Sequence, residues 1–178
     1  MAPLIDRMIR AAKLDIHLYE EVEADKKALG QAMTVVVISS LAAGIGTIQM
    51  GVTGLLLGTF AALAGWFLWA LIIYVLGAKL LPEAGTRSSV GELLRTTGFA
   101  SAPGVIRILG VIPFPFLRGV AVFVASIWML LAMIIAVRQA LDYKSSMRTV
   151  GVCLLGWIIQ ALLLAPLLSM LAPTPAGP

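Results

Sequence analysis

A single guanidinium, that of Arg107, stands inside the otherwise apolar run Thr97–Ile112, with Gly98 and Pro103 upstream of it. In a membrane-spanning segment such a charge costs on the order of 2.5–3.5 kcal/mol at the bilayer centre by insertion scales, so it is usually kept for a use. No Asp or Glu falls within an apolar run to pair with it. The groups left to hold it are backbone carbonyls freed near Pro103, Gln49 or Gln160, a lipid phosphate, water or another protein. The competing reading is that its long side chain snorkels out of a short, thin segment. Arg118, close to the end of its run, can snorkel without further explanation.

The second candidate is the acidic block Glu20, Glu21, Glu23 and Asp25. Glu21 and Asp25 are like charges one helical turn apart, which costs a few tenths of a kcal/mol, roughly, and is partly offset by Glu23 with Lys27. Such a block is either a solvated face or a docking surface for a basic partner. Other chemistry is thinly represented. His17 and Cys153 are the sole histidine and cysteine, so neither an intramolecular disulfide nor a resident zinc or haem site is expected, and Cys153 reads as a small packing residue. Gly44-Ile45-Gly46 lacks the third glycine of a dinucleotide loop and sits in an apolar run. With no phosphate loop, metalloprotease motif or nucleophile–base set, the expectation is a protein that is not an enzyme and takes no cofactor.

The elements that must position these residues are membrane helices. Sixty per cent of the 178 residues are hydrophobic and 12% are charged, and mean hydropathy is +1.00. A soluble domain carries roughly a quarter charged residues. The net charge of +4 therefore reads as Lys and Arg retained on one membrane face rather than as a nucleic-acid interface.

The fold class is all-α, a polytopic membrane bundle of about five transmembrane helices with an N-terminal amphipathic helix. In residues 1–30 an apolar stripe of Ile5, Met8, Ile9, Ala12, Ile16 and Tyr19, extended by Leu18 and Val22, predicts one amphipathic cytoplasmic or interfacial helix over 3–29, closed off by Gly30. Its basic first half is suited to anionic headgroups. Because this polar stretch precedes the first apolar run, the spans themselves are expected to direct insertion.

The membrane domain covers 31–171. Its first span, about Ala32–Met50, ends in a turn at Gly51–Gly54, and the second is Leu55–Leu81, long enough to require a tilt or bend. A polar loop follows over 82–96, with a short surface helix around Glu92. The third segment, Thr97–Ile112, is short and kinked or re-entrant. Spans four and five are Leu117–Val137 and Val150–Leu171, and the Pro-rich tail 172–178 reads as disordered. Gly44, Gly46, Gly51, Gly54, Gly58 and Gly65 form a small-residue face for packing within the bundle, with a homodimer seam as the alternative.

The run Leu14-Asp15, Tyr19-Glu20-Glu21-Val22-Glu23-Ala24-Asp25, Gly30-Gln31-Ala32 before a Gly-rich first span resembles a bacterial member of the Yip family, the Ypt/Rab-interacting membrane proteins. Gly98-Phe99-Ala100-Ser101-Ala102-Pro103 is similar to the family's Gly-Tyr-x-x-x-Pro signature, with Phe for Tyr. Ala136-Val137-Arg138-Gln139-Ala140, with Ser145 and Arg148, resembles the link between spans four and five. The resemblance covers roughly 10–170 and implies five spans in a bacterial cytoplasmic (inner) membrane. The Asp-Leu-Tyr-Gly-Pro motif of the eukaryotic branch is absent, since Leu18-Tyr19 is followed by two glutamates, so a Rab role is not transferred. The expected function is a non-catalytic scaffold, adaptor or accessory subunit whose partners are membrane lipids and other membrane proteins or a second copy. The alternative is a small transporter or lipid-handling protein using the segment around Arg107.

With five spans and the N-terminus inside, 11 of the 13 basic residues and all nine acids fall on the inner side, Arg107 and Arg118 excepted. In a Cys153→Ala background, cysteines at Ser88 and Ser145 should label only from the cytoplasm. Cysteines at Phe114 and Thr174 should label only from outside. Cytoplasmic labelling at Thr174 overturns the five-span order.

Overall fold

In the computed structural model, the structure describes residues 3–45, 51–111 and 114–171, all helices and short connections. The Pro-rich tail, Gln49 and the peptide at Ile112-Pro113 lie outside the described residues. Among the described residues, four helices are long and apolar enough to cross a membrane by length and composition, over Lys26–Gly44, Leu55–Leu80, Phe116–Ala140 and Ser146–Ala165.

The N-terminal segment forms two helices where its periodicity predicts one. α1 (Leu4–Ala12) and α2 (Ile16–Ala24) meet at a reversal in which Leu14 adopts φ 60. Asp15 caps α2 by accepting from the amide of His17 at 3.0 Å, which satisfies one of the amides a helix start leaves open. The predicted stripe therefore splits. Leu18, Tyr19 and Val22 are buried, while Ile5, Ile9 and Ile16 are exposed. Gly30 does not separate the segment from the first span. Asp25 and a 3-10 turn over Lys26–Ala28 do so, and Gly30 lies in the first turn of α3 (Leu29–Ile45).

α4 (Gly51–Ile73) begins at Gly51, so the residues expected to form a turn are helical. Its excess length is absorbed at the other end by a π-helical stretch, Tyr74–Leu80. The Tyr143 hydroxyl shares its proton between the carbonyl of Gly77 within this stretch, at 2.9 Å, and that of Leu81 just after it, at 2.6 Å.

The third segment departs furthest from expectation. It starts at Val90, not Thr97. α5 (Val90–Phe99) opens with a capping box in which Ser89 accepts from the Glu92 amide and Glu92 accepts from the Ser89 amide. In place of a surface helix around Glu92, Leu93–Phe99 are all buried. The helix stops before Pro103, whose ring removes a donor. The chain continues as a 3-10 helix of 10 residues, Ala102–Val111. A 3-10 helix rises about 2.0 Å per residue against 1.5 Å, so these residues reach roughly 20 Å. Gly98 packs against Ala32, and Gly104 against Ser39 and Met129. The segment thus runs parallel to α3 and antiparallel to α6 (Pro115–Ala140); α7 (Ser146–Leu171) returns against α4.

Two buried clusters hold the bundle. One joins α4, α5, α6 and α7 through Ile73, Leu93, Val137, Leu141 and Cys153; Cys153 is a packing residue as its surroundings suggested. The other joins the N-terminal helices to α3, the third segment and α6, and is rich in alanine, including Ala11, Ala32, Ala100, Ala132 and Ala136. Small side chains let helices approach closely where lipid gives them no hydrophobic reason to associate.

A Cβ at Gly98 would lie 2.8 Å from Ala32 Cβ and 3.2 Å from the Ala32 carbonyl oxygen, whereas one at Gly30 meets nothing within 4 Å. Gly98→Val should therefore cost about 1–3 kcal/mol and lower the unfolding temperature in mild detergent. Gly30→Ala should hold or raise it, by up to about 1 kcal/mol of helix propensity. Equal behaviour of the two variants would remove close α3–α5 packing as the reason for Gly98.

Candidate functional site

A cavity of about 500 Å³ opens between the spans. Its walls come from α3 (Ser39, Ser40), α4 (Thr59, Trp69), the third segment (Ser101, Arg107), α6 (Met129, Met133) and α7 (Trp157, Gln160). Gly44, Gly58 and Gly65 also line it. The glycines of the first two spans, expected to close a packing face, divide their work. Gly44 lies tight against Leu55, while nothing approaches within 4 Å of where a Cβ on Gly58 would stand. Missing side chains at such positions are part of what makes the space.

The polar groups of the residues that line this cavity are unequally satisfied. Ser40 donates to Val36 O at 2.7 Å and Thr59 to Leu55 O at 2.9 Å, so both hydroxyl protons are spent on the preceding turn. Gln160 Nε2 donates to Gly65 O at 3.2 Å, tying α7 to α4. Trp69 is 4% exposed, its ring stacked on Trp157 with centroids 5.6 Å apart, and its Nε1 is buried without a hydrogen-bond partner among the described residues. Arg107 Nε is buried and likewise without a partner among the described residues. No Asp or Glu lines the cavity among the described residues. A buried donor without an acceptor costs roughly 1–3 kcal/mol, more when charged. The two unsatisfied donors and the uncompensated charge together favour an anionic or strongly accepting group in this space.

Arg107 is thus the one sequence candidate that faces the cavity. Gly98 and Pro103 shape the segment that carries it, Gly98 by letting α5 touch α3 and Trp66, Pro103 by forcing the change to a 3-10 helix. Gln160, one of the partners expected for Arg107, lines the same cavity but spends its amide on Gly65.

The acidic block lies elsewhere, at the end of the bundle where α5 begins and α6 turns into α7. Glu21 and Asp25 face Arg7, at 2.7 and 2.9 Å, and Glu21 also takes Arg10 at 2.7 Å. Glu20 accepts from Gln139 at 3.0 Å. Arg10 and Arg7 hold Glu21, and Arg7 holds Asp25, below the usual carboxylate range; Arg10 does the same for Asp15. Glu23 goes the other way. Burial, and then the charges of Asp142 and Glu92, push it up to about 7, with Glu20 adding to the effect and Arg95 opposing it.

Three residues that matter here carry no sequence signal as strong as that of Arg107. Trp69 looks like any span tryptophan until its stacking partner is known. Arg95 reads as an inner-loop cation, yet it is buried and donates to Val22 O at 2.8 Å and to Glu23 O. Arg7 reads as a headgroup contact and is instead an internal ion-pair donor.

Because the folded Glu23 carboxyl titrates above its ordinary 4.5, its contribution is full below that value and fades as pH rises through about 7. The depressed Asp15, Glu21 and Asp25 contribute in the opposite sense, above their ordinary values, and lose that contribution in acid. Glu23→Gln should flatten the stability loss between mildly acidic and neutral pH and stabilise the protein on the alkaline side, as read by thermal unfolding in detergent. An unchanged alkaline limb would show that Glu23 is solvated.

No curated protein and no solved structure matches this chain. The family model of the Yip1 domain matches residues 17–168, from α2 through nearly all of α7. With four long apolar helices around a broken third segment, the chain is an integral membrane protein that belongs to the Yip1 domain family.

Proposed function

We propose that the protein is a non-catalytic accessory membrane protein that holds an anionic amphiphile, a phospholipid headgroup with part of its chain, in the cavity around Arg107. The observation that carries this reading is that Arg107 and Trp69, each with a buried donor (Nε and Nε1) unpartnered among the described residues, both line one cavity of about 500 Å³. Ligand sites combine largely apolar walls with a few convergent polar groups. Here the methionines and tryptophans supply the former, and Arg107 supplies the charge. A guanidinium matches phosphate oxygens in its planar donor geometry.

The adaptor reading rested on acids available to a basic partner. Glu21 and Asp25 find that partner in α1 of the same chain. Lys13, Lys26 and Lys27 are exposed. A partner at this end of the bundle, taken as cytoplasmic from the distribution of Lys and Arg, therefore meets a surface with more free positive than negative charge. Acidic surfaces and anionic headgroups suit it best.

Arg107→Gln should lose phospholipid that the parent retains through purification in mild detergent, as read by native mass spectrometry. Its thermal stabilisation by added phosphatidylglycerol should also fall. Inorganic phosphate should stabilise neither protein, because it lacks the chain that the apolar walls accept. Undiminished lipid retention and stabilisation in Arg107→Gln would leave Arg107 a snorkelling side chain and end this reading.

A further inference from the structure

α1 turns one of its cations inward and two of its isoleucines outward; Leu4, Met8 and Ala11 share the inner side with Arg7, and Asp6 is exposed. Its Arg7 is 3% exposed, whereas Ile5 and Ile9 are 70% and 51% exposed. On the inward face Arg7 is fully occupied. Nε and Nη2 donate to Glu21 at 3.0 and 2.7 Å, Nη2 to Asp25 at 2.9 Å, and Nη1 to Gln31 at 2.8 Å. Arg10 is likewise spent on Asp15 and Glu21. A helix covering a protein from water turns its apolar stripe inward. One that satisfies its cations internally and offers isoleucine outward is arranged for an apolar surrounding.

The placement of the hairpin says which surrounding. Trp128, at the middle of α6, donates from Nε1 to Ala12 O at 2.7 Å. Gln139, near the end of α6, donates to Glu20. Those two positions on α6 are roughly 16 Å apart along a helix axis, so the α1–α2 hairpin stands lengthwise beside α6 instead of lying across its end. At the hairpin's turn Leu14 completes an apolar hollow with Phe123, Ile127 and Leu131. These three α6 residues are themselves exposed, on the surface that a bilayer covers. Beyond the turn Ile16 continues the exposed apolar surface, and the neighbouring Lys13 is also exposed.

We infer that the α1–α2 hairpin is embedded in one leaflet with its turn deepest, beside the middle of α6. Ile5, Ile9 and Ile16 lie against acyl chains and Lys26 and Lys27 at the phosphates, while the long stem of Lys13 carries its ammonium back toward the headgroups. The occupant of this surface is bilayer phospholipid, anionic species favoured. Two arguments select it: the hollow around Leu14 is continuous with the lipid-facing side of α6, and Lys13, Lys26 and Lys27 on the same unit carry the complementary charge. α1 precedes the residues that match the Yip1 domain.

The test is spin labelling of the full chain in bilayers of phosphatidylcholine and phosphatidylglycerol, with Cys153→Ala and single cysteines in place of Ile5, Ile9 or Lys27. Labels at Ile5 and Ile9 should relax more with oxygen than with a water-soluble nickel chelate, and the label at Lys27 should show the reverse. The oxygen preference at Ile9 should persist in Arg107→Gln, which separates this surface from the cavity site. A chelate preference at Ile9 equal to that at Lys27 overturns the inference. So does strong spin–spin broadening at Ile9 that vanishes on dilution with unlabelled protein, which would assign the surface to a second copy.

Discussion

Arg95 is buried between α5 and the carboxyl end of α2, where its guanidinium donates to the carbonyl oxygens of Val22 and Glu23. A helix end leaves such carbonyls without intrahelical donors and gathers partial negative charge there, so a cation is the natural complement. Much else follows from this contact. It holds α2 on α5, the helix whose residues Leu93–Phe99 are all buried. It also sets the hairpin against α6, where Glu20 and Ala12 find Gln139 and Trp128. The Glu23 carboxyl is carried with its backbone into a half-buried place beside Asp142 and Glu92, which raises its titration.

The third segment shows how a membrane chain tolerates a proline and a charge together. Backbone that leaves the α-helix in the apolar layer must be enclosed by protein or line a cavity. Here α3 and α6 flank the 3-10 stretch on either side, with Gly104 pressed against Ser39 and Met129. The greater rise of the 3-10 helix lets few residues cover a long path. Arg107 emerges where the segment borders the cavity, so the same irregularity that shortens the span supplies the opening that its charge faces.

Ion pairing follows a different logic at the charged end. Arg7 is inaccessible, and every acid it meets comes from α2 or the turn after it. Removing one partner from such a group is expensive, because it strands the other. The network therefore fixes α1 on α2 more through the cost of parting the charges than through the strength of each pair.

The sequence by itself determined the helical membrane architecture, the approximate spans and the broken character of the third segment. Hydropathy and Pro103 are local signals, and the bilayer leaves few structures that satisfy a backbone in its interior. It marked Arg107 for the same reason, since a charge in an apolar run stands out without knowledge of its neighbours. Helix ends were less legible. The break at Leu14 needed the capping role of Asp15 to be weighed against a periodicity that ran straight through it. Only the tertiary structure decided which way α1 faces, that Arg7 and Arg95 are internal, and that the stacked Trp69 and Trp157 line the same cavity as Arg107. Those outcomes depend on pairs far apart in the chain, such as Arg95 with Val22 and Trp128 with Ala12. An amphipathic pattern names two faces, but which of them meets protein and which meets lipid is settled by the surface it docks on.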